Sequence, residues 1–236
     1  MTNLFILMTL SILPVLLILS YIYIKDKHKE PISLLLIFFS CGVLSCFLVL
    51  KASELITPFF PFMQKTSLER SFLDTILYAF LGVAFIEEIC KWIMVYFIGY
   101  HHSEFDEIYD MIVYSVFVSL GFAFFENVSY VLINGNLKTV LLRAISAIPG
   151  HACDAIFMGY YLSIAKVFRK KKRKDLEISN ITLSIMIPTV LHGIYDYCLL
   201  SGYPILVYLF GIFVISLYMA SYKKLRKMSK INKKIR

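Results

Sequence analysis

Seven long apolar runs separated by polar connections confine this chain to one environment. They span residues 4–24, 32–50, 73–98, 108–133, 137–168, 178–200 and 203–222, and a helix needs roughly 20 residues to cross the hydrocarbon of a bilayer. Only 17% of the 236 residues are charged, whereas soluble domains carry about 25%. A soluble globular fold is excluded, and the expectation is an all-α, polytopic transmembrane helix bundle of about seven spans. The fifth run is too long for one straight span, so a kink or break is expected at Pro149-Gly150 inside it. Residues 1–222 read as a single membrane-embedded domain with a motif-bearing core at about 73–200, and 223–236 as a basic cytoplasmic tail. The start, Met1-Thr2-Asn3, has no basic n-region and no small-residue cleavage site follows, so the first run reads as a retained helix.

The formal charge of +8 would suggest nucleic acid in a soluble protein, but here it follows the connections. One alternate set of connections and the tail hold eighteen of the 24 Lys and Arg, including Arg169-Lys170-Lys171-Lys172-Arg173-Lys174, and the other set holds five. Cytoplasmic loops collect the basic residues, so the N-terminus is expected outside and the C-terminus in the cytoplasm of a bacterial plasma membrane. The tail then suits lipid headgroups, and no nucleic-acid partner is expected. The five cysteines, Cys41, Cys46, Cys90, Cys153 and Cys198, form no C-x-x-C pair; they read as small apolar packing residues.

An ionisable side chain at the middle of a membrane helix costs about 2.5 to 3.5 kcal/mol to insert, so clusters of them point to function. Four runs carry such clusters. In the third, Lys91 lies at i+4 from Glu87 and i+3 from Glu88, spacings that share one helical face; it is expected to neutralise one glutamate and leave the other available as an acid or base. In the fourth, Tyr130 lies one turn from Glu126 and can donate to it. In the fifth, His151 has Asp154 at i+3, and in the sixth His192 has Asp196 at i+4. A carboxylate one turn from an imidazole fixes its tautomer, as general-base and metal-ligand histidines both require. Counted from the outer ends at about 1.5 Å per residue, Glu87 and His151 lie about 21 Å deep and Glu126 and His192 about 11 to 12 Å, so the four are expected to share one cavity open toward the outer leaflet.

These residues, in this order over about 85–197, resemble the PrsW family of polytopic membrane proteases: E-E-x-x-K at Glu87–Lys91, F-E-x-x-x-Y at Phe125–Tyr130, P-G-H at Pro149–His151 and H-G-x-x-D at His192–Asp196. The resemblance implies Glu87, Glu88, Glu126, His151 and His192 as the catalytic set, with Asp196 supporting His192. It also implies a membrane-anchored protein substrate of the single-pass anti-sigma-factor kind, cut on the outer side. Peptide hydrolysis needs an activated water, a stabilised oxyanion and a proton for the amine, and these glutamates and histidines can supply all three, with Lys91, Tyr130, Asp154 and Asp196 in support. Zinc takes the same ligand types and could be held among Glu87, Glu88, Glu126, His151 and His192. The paired-glutamate helix lacks the histidine one turn away that the usual zinc-helix signature contains, so the residues favour a metal-free glutamate mechanism, with zinc or another divalent metal as the alternative. A proton- or cation-coupled transporter and a noncatalytic immunity or scaffold protein are the readings from other classes.

Overall fold

Local signals in the sequence decide where each apolar run starts and stops as helix. A computed structural model describes residues 4–235, apart from the side chain of Asn134; the Met1-Thr2-Asn3 start therefore lies outside the described residues. Helices α1 (Leu4–Lys25) and α2 (Ile32–Ile56) are joined by a short polar turn. Helix α3 runs continuously over 72–99 and starts with a capping box, in which Ser71 accepts from the Asp74 N–H and the Asp74 carboxylate returns to the Ser71 N–H. Helix α4 (Asp110–Asn134) stops at Gly135, whose φ of +52° takes the left-handed cap. Asn136 caps the next helix, α5 (Leu137–Ile145), by accepting from the Lys138 N–H. Helices α6 (Ala147–Lys170), α7 (Lys174–Leu200) and α8 (Pro204–Lys230) complete the chain. The described residues contain no strand, only an isolated bridge between Glu107 and Lys234.

Among the described residues, six helical stretches are long and apolar enough to cross a membrane: Leu4–Lys25, Ile32–Phe59, Asp110–Ile133, Leu137–Lys170, Lys174–Leu200 and Pro204–Lys230. The seventh expected span is α3, whose helix switches to π geometry at Tyr78–Ala84 and again at Val95–Gly99 and which carries Glu87, Glu88 and Lys91. Helix α4 is the hub, buried around its whole circumference over its first half and packed against α1, α2 and α6. Its crossing with α2 is close: a Cβ on Gly42 would come within 1.9 Å of the Val118 carbonyl oxygen, and one on Gly121 within 2.1 Å of that of Phe39. Small residues at crossings are how membrane helices gain packing where lipid offers no hydrophobic contrast. Helix α3 lies between α2 and α7, α6 between α4 and α7, and α8 covers α6 and α7 from outside, leaving Ile205, Tyr208, Ile212 and Ile215 exposed as a lipid-facing surface would require.

Two local expectations are corrected. The break in the fifth run falls at Ser146, where φ −122° and ψ −54° leave helical geometry, not at Pro149-Gly150. Pro149 stands in the first turn of α6, where a missing N–H costs nothing because the first intrahelical bond is donated by Gly150 to the Ser146 carbonyl. Pro149 has no N–H to offer the Ile145 carbonyl, and the Tyr218 hydroxyl of α8 donates there instead at 2.7 Å, with the Ser146 oxygen within reach at 3.2 Å. The residues after 222 also do more than trail from the bundle. Helix α8 continues to Lys230, and the segment beyond it folds onto the α3–α4 connection: Ile235 donates to the Asp106 carbonyl at 2.7 Å, Asn232 to the Glu107 carboxylate at 2.6 Å, and Lys234 pairs with Asp106 at 2.9 Å.

Candidate active site

Four helices deliver ionisable side chains to one point. On α3, the π segment at Tyr78–Ala84 carries about one residue more per turn than an α-helix and so resets the face of the following turns; Ile86, Glu87, Glu88, Cys90 and Lys91 are all buried there. On α7, Gly193 lets the helix approach α3 so closely that a Cβ would meet the Phe80 ring at 2.4 Å, and this brings His192 within reach of Glu88. Helix α4 contributes Glu126, and α6 contributes His151 and Asp154 from its first turns.

Lys91, fully buried, organises the centre. Its ammonium donates to Glu88 Oε1 at 2.8 Å and Glu87 Oε2 at 3.2 Å and lies 3.3 Å from His151 Nδ1. The expectation that it serves one glutamate is therefore corrected: three ammonium protons meet three acceptors. With Nδ1 facing an ammonium, His151 must carry its proton on Nε2, which faces Glu126 Oε2 at 3.1 Å. The carboxylate that orients His151 is thus Glu126 from another helix, and not Asp154 at i+3. His192 Nδ1 lies 2.9 Å from Glu88 Oε1, and its Nε2 lies 3.5 Å from Asp196 and 3.9 Å from Glu87. The two imidazoles meet edge to face with centroids 5.3 Å apart. All five expected catalytic residues converge, as do Lys91, Asp154 and Asp196.

Tyr130 plays a different part from the one expected. Glu126 pairs with Arg143 Nη2 at 2.7 Å, and the Tyr130 ring lies beneath that guanidinium, 3.9 Å from ring centroid to Cζ. Arg143 also donates from Nε to Asn127 at 2.8 Å. Arg143 is one of the five basic residues in the sparser set of connections, and no periodic spacing links it to Glu126. A cavity of about 480 Å³ opens beside the cluster, with Glu87, Glu126, His151, Asp154, His192 and Asp196 in its wall, while Glu88 lies behind with no exposed surface. Thr139 on α5 and Leu199 and Leu200 at the end of α7 line the same cavity, so it extends toward the end of the bundle where α4 meets α5 and α7 meets α8.

The residues fit a metal ion by two observations. Glu88, His151, Asp154 and His192 each offer a ligand atom within 4.8 Å of the others, and Glu88 Oε2 and Asp154 Oδ1 are buried without a hydrogen-bond partner. Two imidazoles and two carboxylates are a donor set that zinc accepts. Asp154, expected only in support, belongs to this group, whereas Glu87 and Glu126 do not.

A bundle of membrane-length helices that gathers two histidines and five carboxyl groups beside a cavity has the groups that a membrane-embedded hydrolase requires. Residues 30–221 match the family described as PrsW family intramembrane metalloprotease. The curated Protease PrsW of Geobacillus kaustophilus is 38% identical over 224 residues, covering 94% of this chain and 92% of its own. That of Oceanobacillus iheyensis is 36% identical over 217 residues (92% and 93%), and that of Bacillus subtilis 32% identical over 231 residues (97% and 98%). No solved structure matches. The chain belongs to the PrsW family of intramembrane proteases and is a membrane peptidase, which sets aside the transporter and scaffold readings. The family's description as metalloproteases also weighs against the metal-free preference drawn from the missing zinc-helix histidine.

Proposed function

We propose that this chain hydrolyses a peptide bond in a membrane-anchored protein, a single-pass anti-sigma-factor-like regulator, at the cavity walled by Glu87, Glu126, His151 and His192. The observation that carries the reading is the convergence of these groups, with Glu88 and Lys91, from four helices. Glu87 faces the cavity and takes the proton from the attacking water, while Lys91 holds the pair Glu87–Glu88 in place. His192, set between Glu88 and Asp196, donates toward the oxyanion and passes a proton to the leaving amine; His151, fixed by Glu126, completes the polar wall. If a metal ion, zinc by its ligand preferences, is bound, three of Glu88, His151, Asp154 and His192 would hold it with a fourth position left for water, and it would supply Lewis-acid polarisation and an acidified water in place of His192's role toward the oxyanion. The basic connections favour an N-terminus outside and a cytoplasmic C-terminus in the bacterial plasma membrane, which turns the cavity's open end outward.

Co-expression with tagged single-pass reporters tests this. Cleavage by the parent is expected, with Glu87→Gln and His192→Ala each slowing it by about 10² to 10⁴-fold while the variants stay in the membrane at parental levels. Cleavage by both variants at the parental rate would remove the assigned residues from the chemistry.

A further inference from the structure

A second group of buried acids lies where the α1–α2 connection meets the first turn of α4, at the other end of that helix from Glu126. Asp26 and Glu30 stand on the α1–α2 connection and Asp110 on the first turn of α4, with exposures of 2%, 7% and 1%. One carboxylate oxygen from each lies within 4.8 Å of the other two. What they lack is an ion-pair partner: among the described residues, no lysine, arginine or histidine side-chain nitrogen lies within 4.0 Å of these three carboxylates, although Glu107 beside them pairs with His28 at 2.8 Å. The nearest ammonium, on Lys29, is occupied by main-chain carbonyls, those of Tyr23, Ile24 and Asp26 at the end of α1.

Neutral donors satisfy only part of the group. Glu30 accepts from the Tyr114 hydroxyl at 2.6 Å, and Asp110 Oδ2 from the N–H groups of Asp106 and Glu107 at 3.1 and 2.7 Å. Asp26 accepts at Oδ1 from the His28 N–H at 3.3 Å, but its Oδ2 is buried with no partner at all. Three carboxylates removed from water without an ion-pair partner are costly, and an orphaned oxygen among them is what a ligand would complete. The donor set is oxygen only, which suits hard cations and disfavours zinc. Oxygens on opposite sides of a Ca²⁺ ion lie about 4.8 Å apart, twice the roughly 2.4 Å bond, and those around Mg²⁺ somewhat closer; the observed spacing accommodates either with small movements.

We propose that Asp26, Glu30 and Asp110 bind a hard divalent cation of the Ca²⁺ or Mg²⁺ class, which ties the α1–α2 connection to the head of α4. This site is separate from the candidate active site and does not depend on the mechanism assigned there. It also adjoins the docked C-terminal segment, because Asn232 donates to Glu107 and accepts from the Tyr109 N–H at 3.0 Å.

The test uses the full chain in detergent, stripped with chelator and then given Ca²⁺, Mg²⁺ or Mn²⁺. For the parent, a rise in Tm of several degrees with one of these ions is expected, together with bound Mn²⁺ by electron paramagnetic resonance. His192→Ala, which disrupts the other cluster, should keep both responses. Asp26→Asn and Glu30→Gln should weaken cation binding at least tenfold, and Asp26→Asn should raise Tm in chelator by removing a buried unpaired charge. A thermal response to cation that is as large in Asp26→Asn as in the parent overturns the site, as does a lack of bound Mn²⁺ in His192→Ala at millimolar ion. The chelator measurement guards against misreading a variant that simply folds poorly, since loss of Tm in chelator as well as in cation would assign Asp26 a purely structural part and reject the proposal.

Discussion

At the scale of single residues, the sequence disclosed pairs that sit one helical turn apart and concealed pairs that do not. Glu87, Glu88 and Lys91 were readable as one face, and Asp196 as a partner of His192, because i+3 and i+4 spacings fix proximity whatever the tertiary fold. The partners of His151 were not readable. Lys91 is 60 positions away and Glu126 25, and the adjacent Asp154 turned out to face the possible metal group instead. Arg143 was missed for the same reason. Its guanidinium links Glu126 and Asn127 over the Tyr130 ring, and removing it leaves Glu126 with His151 alone. Arg143→Ala is expected to cost about 2 to 3 kcal/mol, between the values for exposed and buried pairs, and to reduce reporter cleavage at least tenfold. Arg143→Lys should recover stability better than activity, because an ammonium lacks the planar fork that spans both acceptors. Thermal unfolding and the reporter assay measured on the same preparations check both.

At the scale of helices, the apolar runs placed the elements well because their length and boundary residues act locally: Ser71 with Asp74, Gly135 and Asn136 each end or begin a helix where the sequence offers a cap. The internal geometry of two helices was less accessible. The π segments of α3 and the break at Ser146 depend on what packs against them, and Pro149 drew attention to the wrong residue. Tyr218 of α8 holds the break by donating to the Ile145 and Ser146 carbonyls, so a span outside every recognised motif supports the site. Tyr218→Phe is expected to cost about 1 kcal/mol, since it leaves the Ile145 carbonyl without its donor while Ser146 keeps the Gly150 N–H. Gly193→Val should be more damaging to cleavage than to membrane insertion, because the added side chain collides with Phe80 and pushes His192 away from Glu88. A comparison of membrane-fraction abundance with reporter cleavage for the two variants separates these effects; equal cleavage by Gly193→Val and parent would contradict the close-approach argument.

At the scale of the whole molecule, the bundle gathers two separate acid-rich groups and docks its C-terminal segment beside one of them. Asn232, Lys234 and Ile235 dock on the α3–α4 connection, where the sequence suggested a basic tail facing lipid headgroups or solvent. Asn232→Ala removes hydrogen bonds to Glu107 and the Tyr109 N–H and should expose the segment after Lys230 to protease, detected as faster trimming of a C-terminal tag in membranes with little change in the core fragment; trimming at the parental rate would show that the docking is unimportant. The sequence by itself determined that this chain lies in a membrane, that it is helical, and which ionisable residues share a helical face, because hydrophobic length and helical period are properties of adjacent residues. Only the tertiary structure decided that Glu88 meets His192 across 104 positions, that Glu126 rather than Asp154 orients His151, and that Asp26, Glu30 and Asp110 come together without an ion-pair partner. Those meetings depend on where helices cross, and the crossings are set by close approaches such as Gly42 with Val118, Gly121 with Phe39 and Gly193 with Phe80, which no local spacing encodes.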